Sequence, residues 1–143
     1  MKTKTKNIRK RFKIKSTTDN LAKARDIIKT IALEVGFKEE EAGKIILASD
    51  EAVTNVIKHA YKYSKEGEIL ITISFIKNKF SISISDKGKS FDFKKIKDPD
   101  LQKYYKEKRV GGLGIYLMKK LMDEIKYSSL NNRNKVTLVK YLR

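Results

Sequence analysis

Apolar residues recur along the chain in two rhythms, and the switches between them mark out its elements. Leu21, Ala24, Ile27, Ile28, Ile31, Ala32 and Val35 return every three or four positions, the spacing of one helix face. Gly36 follows as a stop. "STTD" at 16–19 reads as a capping box, with Ser16 as N-cap and Asp19 reaching back. A second helical run extends from about Glu39 to Tyr61. The rhythm then changes to two. "EILITISFI" (68–76), a turn at Lys77-Asn78 and "KFSISISD" (79–86) predict a hairpin. In its second strand Phe80, Ile82 and Ile84 alternate with Ser81, Ser83 and Ser85, so one face is apolar. Residues 87–110 have no clean period and hold the only proline, Pro99. "GGLGIYLMKKLMDEI" (111–125) opens on glycines and turns helical, with Leu113, Leu117, Leu121 and Ile125 on one face. Strands near 125–130 and 135–142 close the chain around Asn131-Asn132, and "IRKRFKIK" (8–15) predicts a first strand. The order β, α, α, β, β, loop, α, β, β predicts an α+β fold. It is a two-layer α/β sandwich, a mostly antiparallel sheet with helices on one face.

Length and composition narrow the class. With 143 residues, no repeat and no linker, the chain reads as one domain, 1–143. Its 40% apolar content suits a packed core. No apolar run approaches the roughly 20 residues that span a bilayer, and the first residues carry no signal-peptide core. There is no cysteine, which removes disulfides, thiolate metal sites and cysteine nucleophiles. These features point to a cytoplasmic protein. The formal net charge is +17, and eight of the first fifteen residues are Lys or Arg. Such a run is either a solvated, lysine-rich surface or a patch for nucleic acid or another polyanion. The excess of lysine over arginine favours the first reading. Nucleic-acid contact through residues 1–15 stands as the second.

Three features can carry chemistry. In "DEAVTNVIKHAY" (50–61), Glu51, Asn55 and His59 are spaced by four. At about 100° per residue they fall at about 0°, 40° and 80° around a helix, along one border of its apolar stripe. A half-desolvated acid and amide there can line a cleft, although border positions are often polar in any case. Asp86 shares parity with Phe80, Ile82 and Ile84, so its carboxylate points toward the core at a strand end. Either an Asp-x-Gly turn with Gly88 satisfies it, or a ligand donor does, such as an adenine amino group. "RVGGLG" runs straight into a helix whose first N–H groups suit phosphate. It has neither the Lys-Ser/Thr of a P-loop nor the βαβ setting of a dinucleotide fingerprint.

Together, in this order, the three stretches resemble the Bergerat-fold (GHKL) ATPase and kinase superfamily. "DEAVTNVIKHAY" looks like its N-box, "DKGKSFDF" its first glycine box and "GGLGIYLMKKLMD" its second. The single-domain form and "EAVTNVIKHAY" most resemble the bacterial anti-sigma-factor serine/threonine kinases. The resemblance implies ATP and Mg2+ as ligands. It makes Asn55 the Mg2+ ligand and Glu51 the general base that deprotonates an attacking hydroxyl. Asp86 would accept from the adenine amino group, with Gly88 giving the base room. Gly112, Leu113 and Gly114 would seat the phosphates on the helix start. Residues 89–110 would form an ATP lid, with Arg109 among the cations that offset phosphate charge. His59 would pack and hydrogen-bond rather than catalyse. No separate helical hairpin carries a phospho-accepting histidine, so the acceptor lies on another protein. The resemblance makes this a serine on an antagonist, with a sigma factor as a second partner and a possible homodimer. A binding module that responds to nucleotide without turning it over is the alternative.

Overall fold

The computed structural model describes residues 7–88 and 114–143. Among them, strand β1 (Ile8–Lys15) leads through a 3-10 turn into helix α1 (Leu21–Val35). Helix α2 (Glu39–Asn55) runs on into a π turn (Val56–Ala60). Strands β2 (Glu68–Ile76) and β3 (Lys79–Asp86) form a hairpin. Helix α3 (Gly114–Leu121) precedes strands β4 (Glu124–Leu130) and β5 (Arg133–Tyr141). The five strands lie in the order β1-β2-β3-β5-β4, and every neighbouring pair is antiparallel. The expected fold is the one observed. The expected lid (89–110), with Arg109, Gly112 and Leu113, lies outside the described residues.

Alternation settles which way each strand faces. Ile69, Ile71, Ile73 and Phe75 of β2, Phe80, Ile82 and Ile84 of β3 and Leu138 of β5 are all buried toward the helices. Ser81 and Ser83 turn to the opposite face, where the Ser83 hydroxyl meets that of Thr137 at 3.1 Å. Helix α2 lies on β3 and β5, flanked by α1 and α3. Both hairpins turn on two left-handed residues, Lys77-Asn78 and Asn131-Asn132. This conformation matches the twist of the paired strands. Gly36, at φ 117°, ends α1 as expected, and the N–H of Phe37 reaches back to the Ala32 carbonyl at 3.1 Å.

Three local expectations are corrected. The capping box does not form. Thr17 precedes a short 3-10 turn without capping its backbone through the side chain, and Ser16 instead donates its hydroxyl to the Ser64 carbonyl. That bond ties the end of β1 to the loop before β2, and Asn20 fastens the turn through Thr17 Oγ1 at 2.8 Å. In α3 and just beyond its end the deeply buried residues are Met118 and Met122, one position along from Leu117 and Leu121. Leu121 and Ile125 still pack against the core, but they do not share a helical face, because the helix stops at Leu121 and Ile125 belongs to β4. The second helix also loses its α spacing after Asn55. The N–H of Tyr61 bonds the Val56 carbonyl five residues back at 3.0 Å, so the last turn is wider than an α turn. His59 is exposed there.

Candidate nucleotide site

Helix α2 and the facing ends of β3 and β5 build the site. The register sets Asp86, last in β3, directly across from Asn134 near the start of β5. Both point to the helix side, and both are buried, at 3% relative exposure each. Asp86 Oδ1 accepts from the Gly88 N–H at 2.9 Å and from Asn134 Nδ2 at 2.9 Å. The same amide also donates to the Gly88 carbonyl at 3.0 Å, while Asn134 Oδ1 accepts from Ser129 Oγ at 2.9 Å. A chain Ser129–Asn134–Asp86 therefore fixes the carboxylate from behind. Its second oxygen, Oδ2, takes no hydrogen bond from any described residue. Burial pushes the Asp86 carboxyl above its ordinary value, and the bonds from Asn134 and Gly88 pull partly the other way.

The Asp-x-Gly turn expected of Asp86 forms. One oxygen makes the Asp-x-Gly turn, and the other is left as an acceptor. Gly88 has its own constraint. A Cβ built there would lie 2.4 Å from the backbone oxygen of Ala60, so the π turn and the Asp86 loop touch with no room for a side chain. Tyr61 closes the same seam. Its hydroxyl donates to the Glu68 carbonyl at 2.6 Å and accepts from the Lys87 N–H at 3.0 Å.

Asn55 faces this pair across a small hollow of ≈ 10 Å³, walled by Ala52, Val56, Ile84 and Val136. That is about the room of one water, so these residues are the floor of a site rather than its whole volume. Asn55 Nδ2 is buried and meets no acceptor among the described residues. An unmet buried amide costs about 1–3 kcal/mol. Phosphate oxygens or metal-bound water would supply acceptors, and a half-turn of the amide offers its oxygen to a cation instead. The described residues contain no cluster of three acidic or histidine ligands. A cation here would lean on one amide, with phosphates and water completing its shell, an arrangement that suits Mg2+. The residues present fit such a group.

Glu51 sits one turn before Asn55 and is half-buried. No described residue holds it in a hydrogen bond or ion pair. Its neighbour Asp50 is fixed instead, taking two bonds from Arg25 of α1 at 3.1 and 2.8 Å. Gly114 opens α3, which packs against α2. Sequence reasoning missed Asn134 and Ser129, although Asn134 carries the signal that exposed Asp86. It is a polar residue with the parity of Val136 and Leu138 at a strand end. Beginning that strand at residue 135 concealed it.

Comparison with known proteins agrees with this geometry. Residues 14–140 match the model of the histidine kinase-like ATPase domain. The serine-protein kinase RsbW of Bacillus subtilis is 37% identical over 119 residues, 78% of this chain and 72% of that protein. The RsbW of Bacillus velezensis is 33% identical over 136 residues, covering 92% and 84%. Among solved structures, one from the SiaB–SiaC complex of Pseudomonas aeruginosa superposes with a TM-score of 0.66 at 12% identity, over 91% of this chain and 88% of that one. At that identity the likeness concerns the fold alone. On the family match and the two kinase relatives, the chain belongs to the histidine kinase-like ATPase family, within the group of the RsbW serine-protein kinases.

Proposed function

We propose that this ATP-dependent serine kinase binds ATP over the Asn55–Asp86–Asn134 floor and transfers its γ-phosphate to a serine on a separate regulatory protein. The observation that carries this reading is the pairing of an acceptor and an amide that no described residue satisfies, Asp86 Oδ2 and Asn55 Nδ2, around one hollow. Asp86 Oδ2 accepts from the adenine 6-amino group. Asn55 would hold Mg2+, which would supply charge to offset the phosphates. Gly114 opens α3, and the resemblance gives Gly112, Leu113 and Gly114 the role of receiving the phosphates and Arg109 that of offsetting their charge. Glu51 takes the proton of the acceptor serine as its oxygen bonds the γ-phosphorus and the bond to the β–γ bridging oxygen breaks, releasing ADP. Such a base is worth about 10²- to 10⁴-fold in rate.

The partner side of the reading follows the sequence resemblance. The acceptor is a serine on an antagonist protein, and the kinase otherwise binds and silences a sigma factor in the cytoplasm. Residues 1–143 work as one domain, and the resemblance assigns 89–110 the role of ATP lid. Among the described residues no helix is long and apolar enough to cross a membrane. Phosphotransfer from labelled ATP to the antagonist, measured for wild type and Glu51→Ala, tests the catalytic assignment. Loss of at least about 10²-fold in rate with ATP affinity retained is expected. Undiminished transfer by Glu51→Ala would remove Glu51 as the base.

A further inference from the structure

Lys140 is the one lysine with the parity of the core face at the end of β5, after Val136 and Leu138. Its side chain is 9% exposed. A charge in that position is costly unless it is paired, and an apolar residue would fill the space more cheaply. Its partners come from two helices. Nζ donates to the carbonyl of Leu121, the last residue of α3, at 2.8 Å. It also pairs with Glu41 Oε2, in the first turn of α2, at 3.3 Å. Lys44 takes the other oxygen of Glu41 at 3.1 Å. The Lys44 bond, with Lys140 behind it, holds the Glu41 carboxyl below its usual value.

These contacts join the start of α2 to the end of α3. The two packed helices therefore run in opposite senses, and the first residue of α3 is directed toward the Asn55 end of α2. Helix α3 has eight residues and spans about 12 Å. A short, rigid rod held at one end moves at the other if the hold is lost. The Lys140 charge also lies at the negative end of the α3 dipole, where a cation is favourable.

We infer that Lys140 is a positioning residue for phosphotransfer: it fixes α3 against α2, and so sets the phosphate-receiving helix start relative to Asn55 and Glu51. The inference rests on the nucleotide reading above. It requires that Lys140 act on the phosphates and not on the base, which Asp86 and Asn134 hold independently of α3.

Affinities for ATP and for adenosine, measured by calorimetry on the full chain, separate the two. Lys140→Met is expected to weaken ATP about tenfold while adenosine stays within about twofold, since a misplacement of about 1 Å is costly only where the geometry is used. Lys140→Arg restores a cation of similar reach and most of the ATP affinity. Equal losses for ATP and adenosine, or unchanged ATP affinity in a folded Lys140→Met protein, would overturn the inference. Should Lys140→Met not fold, Glu41→Gln keeps the bond to Leu121 and removes the ion pair. It should give a smaller loss confined to ATP, and no selective loss would again overturn the proposal. A wild-type chain that binds neither ligand would instead sink the nucleotide reading, and the inference with it.

Discussion

At the scale of residues, Asp86 carries the most distinctive physics. A carboxylate that is 3% exposed, with one oxygen held by two donors, can take its proton only on the other oxygen. Protonation there turns the proposed adenine acceptor into a donor. Burial raises the folded-state value above the ordinary 3.8. ATP affinity should therefore fall on acidification at a pH above that value, and Asp86→Asn should bind about tenfold more weakly near neutrality without showing the decline. The linkage to stability has the opposite sign to a typical salt-bridged acid. A raised folded value contributes stability below the unfolded value, and that contribution is lost as pH rises through the folded one. Asp86→Asn should thus gain stability over wild type above that window and not below it, by thermal melts across pH. Asp86 was legible in the sequence because β3 alternates cleanly up to it. Its holder Asn134 lies 48 residues away, and only the β3–β5 register brings the two together.

At the scale of elements, periodicity located the strands and helices because each buries one face, and it failed where backbone geometry departs from the ideal. No side-chain rhythm announces the π turn after Asn55, in which His59 falls. The Ser16 motif had the right residue types for a cap, but a distant carbonyl, that of Ser64, claimed the hydroxyl. The leucine spacing of α3 promised a longer helix than the β4 pairing allows. Within α2, Gly43 has neither a packing nor a conformational reason to be glycine. It is exposed in the middle of the helix, and a Cβ there would meet nothing within 4 Å. Gly43→Ala should stabilise the fold by about 0.5–1 kcal/mol, a rise of a few degrees in melting temperature, with ATP affinity unchanged. A lower melting temperature would show that α2 is constrained in a way its surroundings do not reveal.

At the scale of the whole molecule, the sandwich separates two kinds of surface. The helix face carries the proposed site, with α2 set beside α3 and both fastened to β5 by Lys140 and Glu41. On the opposite face, β1 contributes Arg9, Arg11, Lys13 and Lys15 in alternation, so the described part of the basic run is spread along one edge strand. Two of those lysines approach Glu68 at 3.9 and 3.7 Å, and such exposed pairs contribute little. Charge along an exposed edge strand also discourages it from pairing with another chain. The central claim is that Asn55 and Asp86 form one nucleotide floor and that a divalent cation leans on Asn55. Calorimetric titration with ATP, with and without Mg2+, tests it most directly on wild type and Asn55→Ala. The account predicts micromolar binding by wild type that needs Mg2+, and a loss of at least about tenfold in Asn55→Ala. Equal affinity in the two proteins, or no ATP binding by wild type, would contradict it.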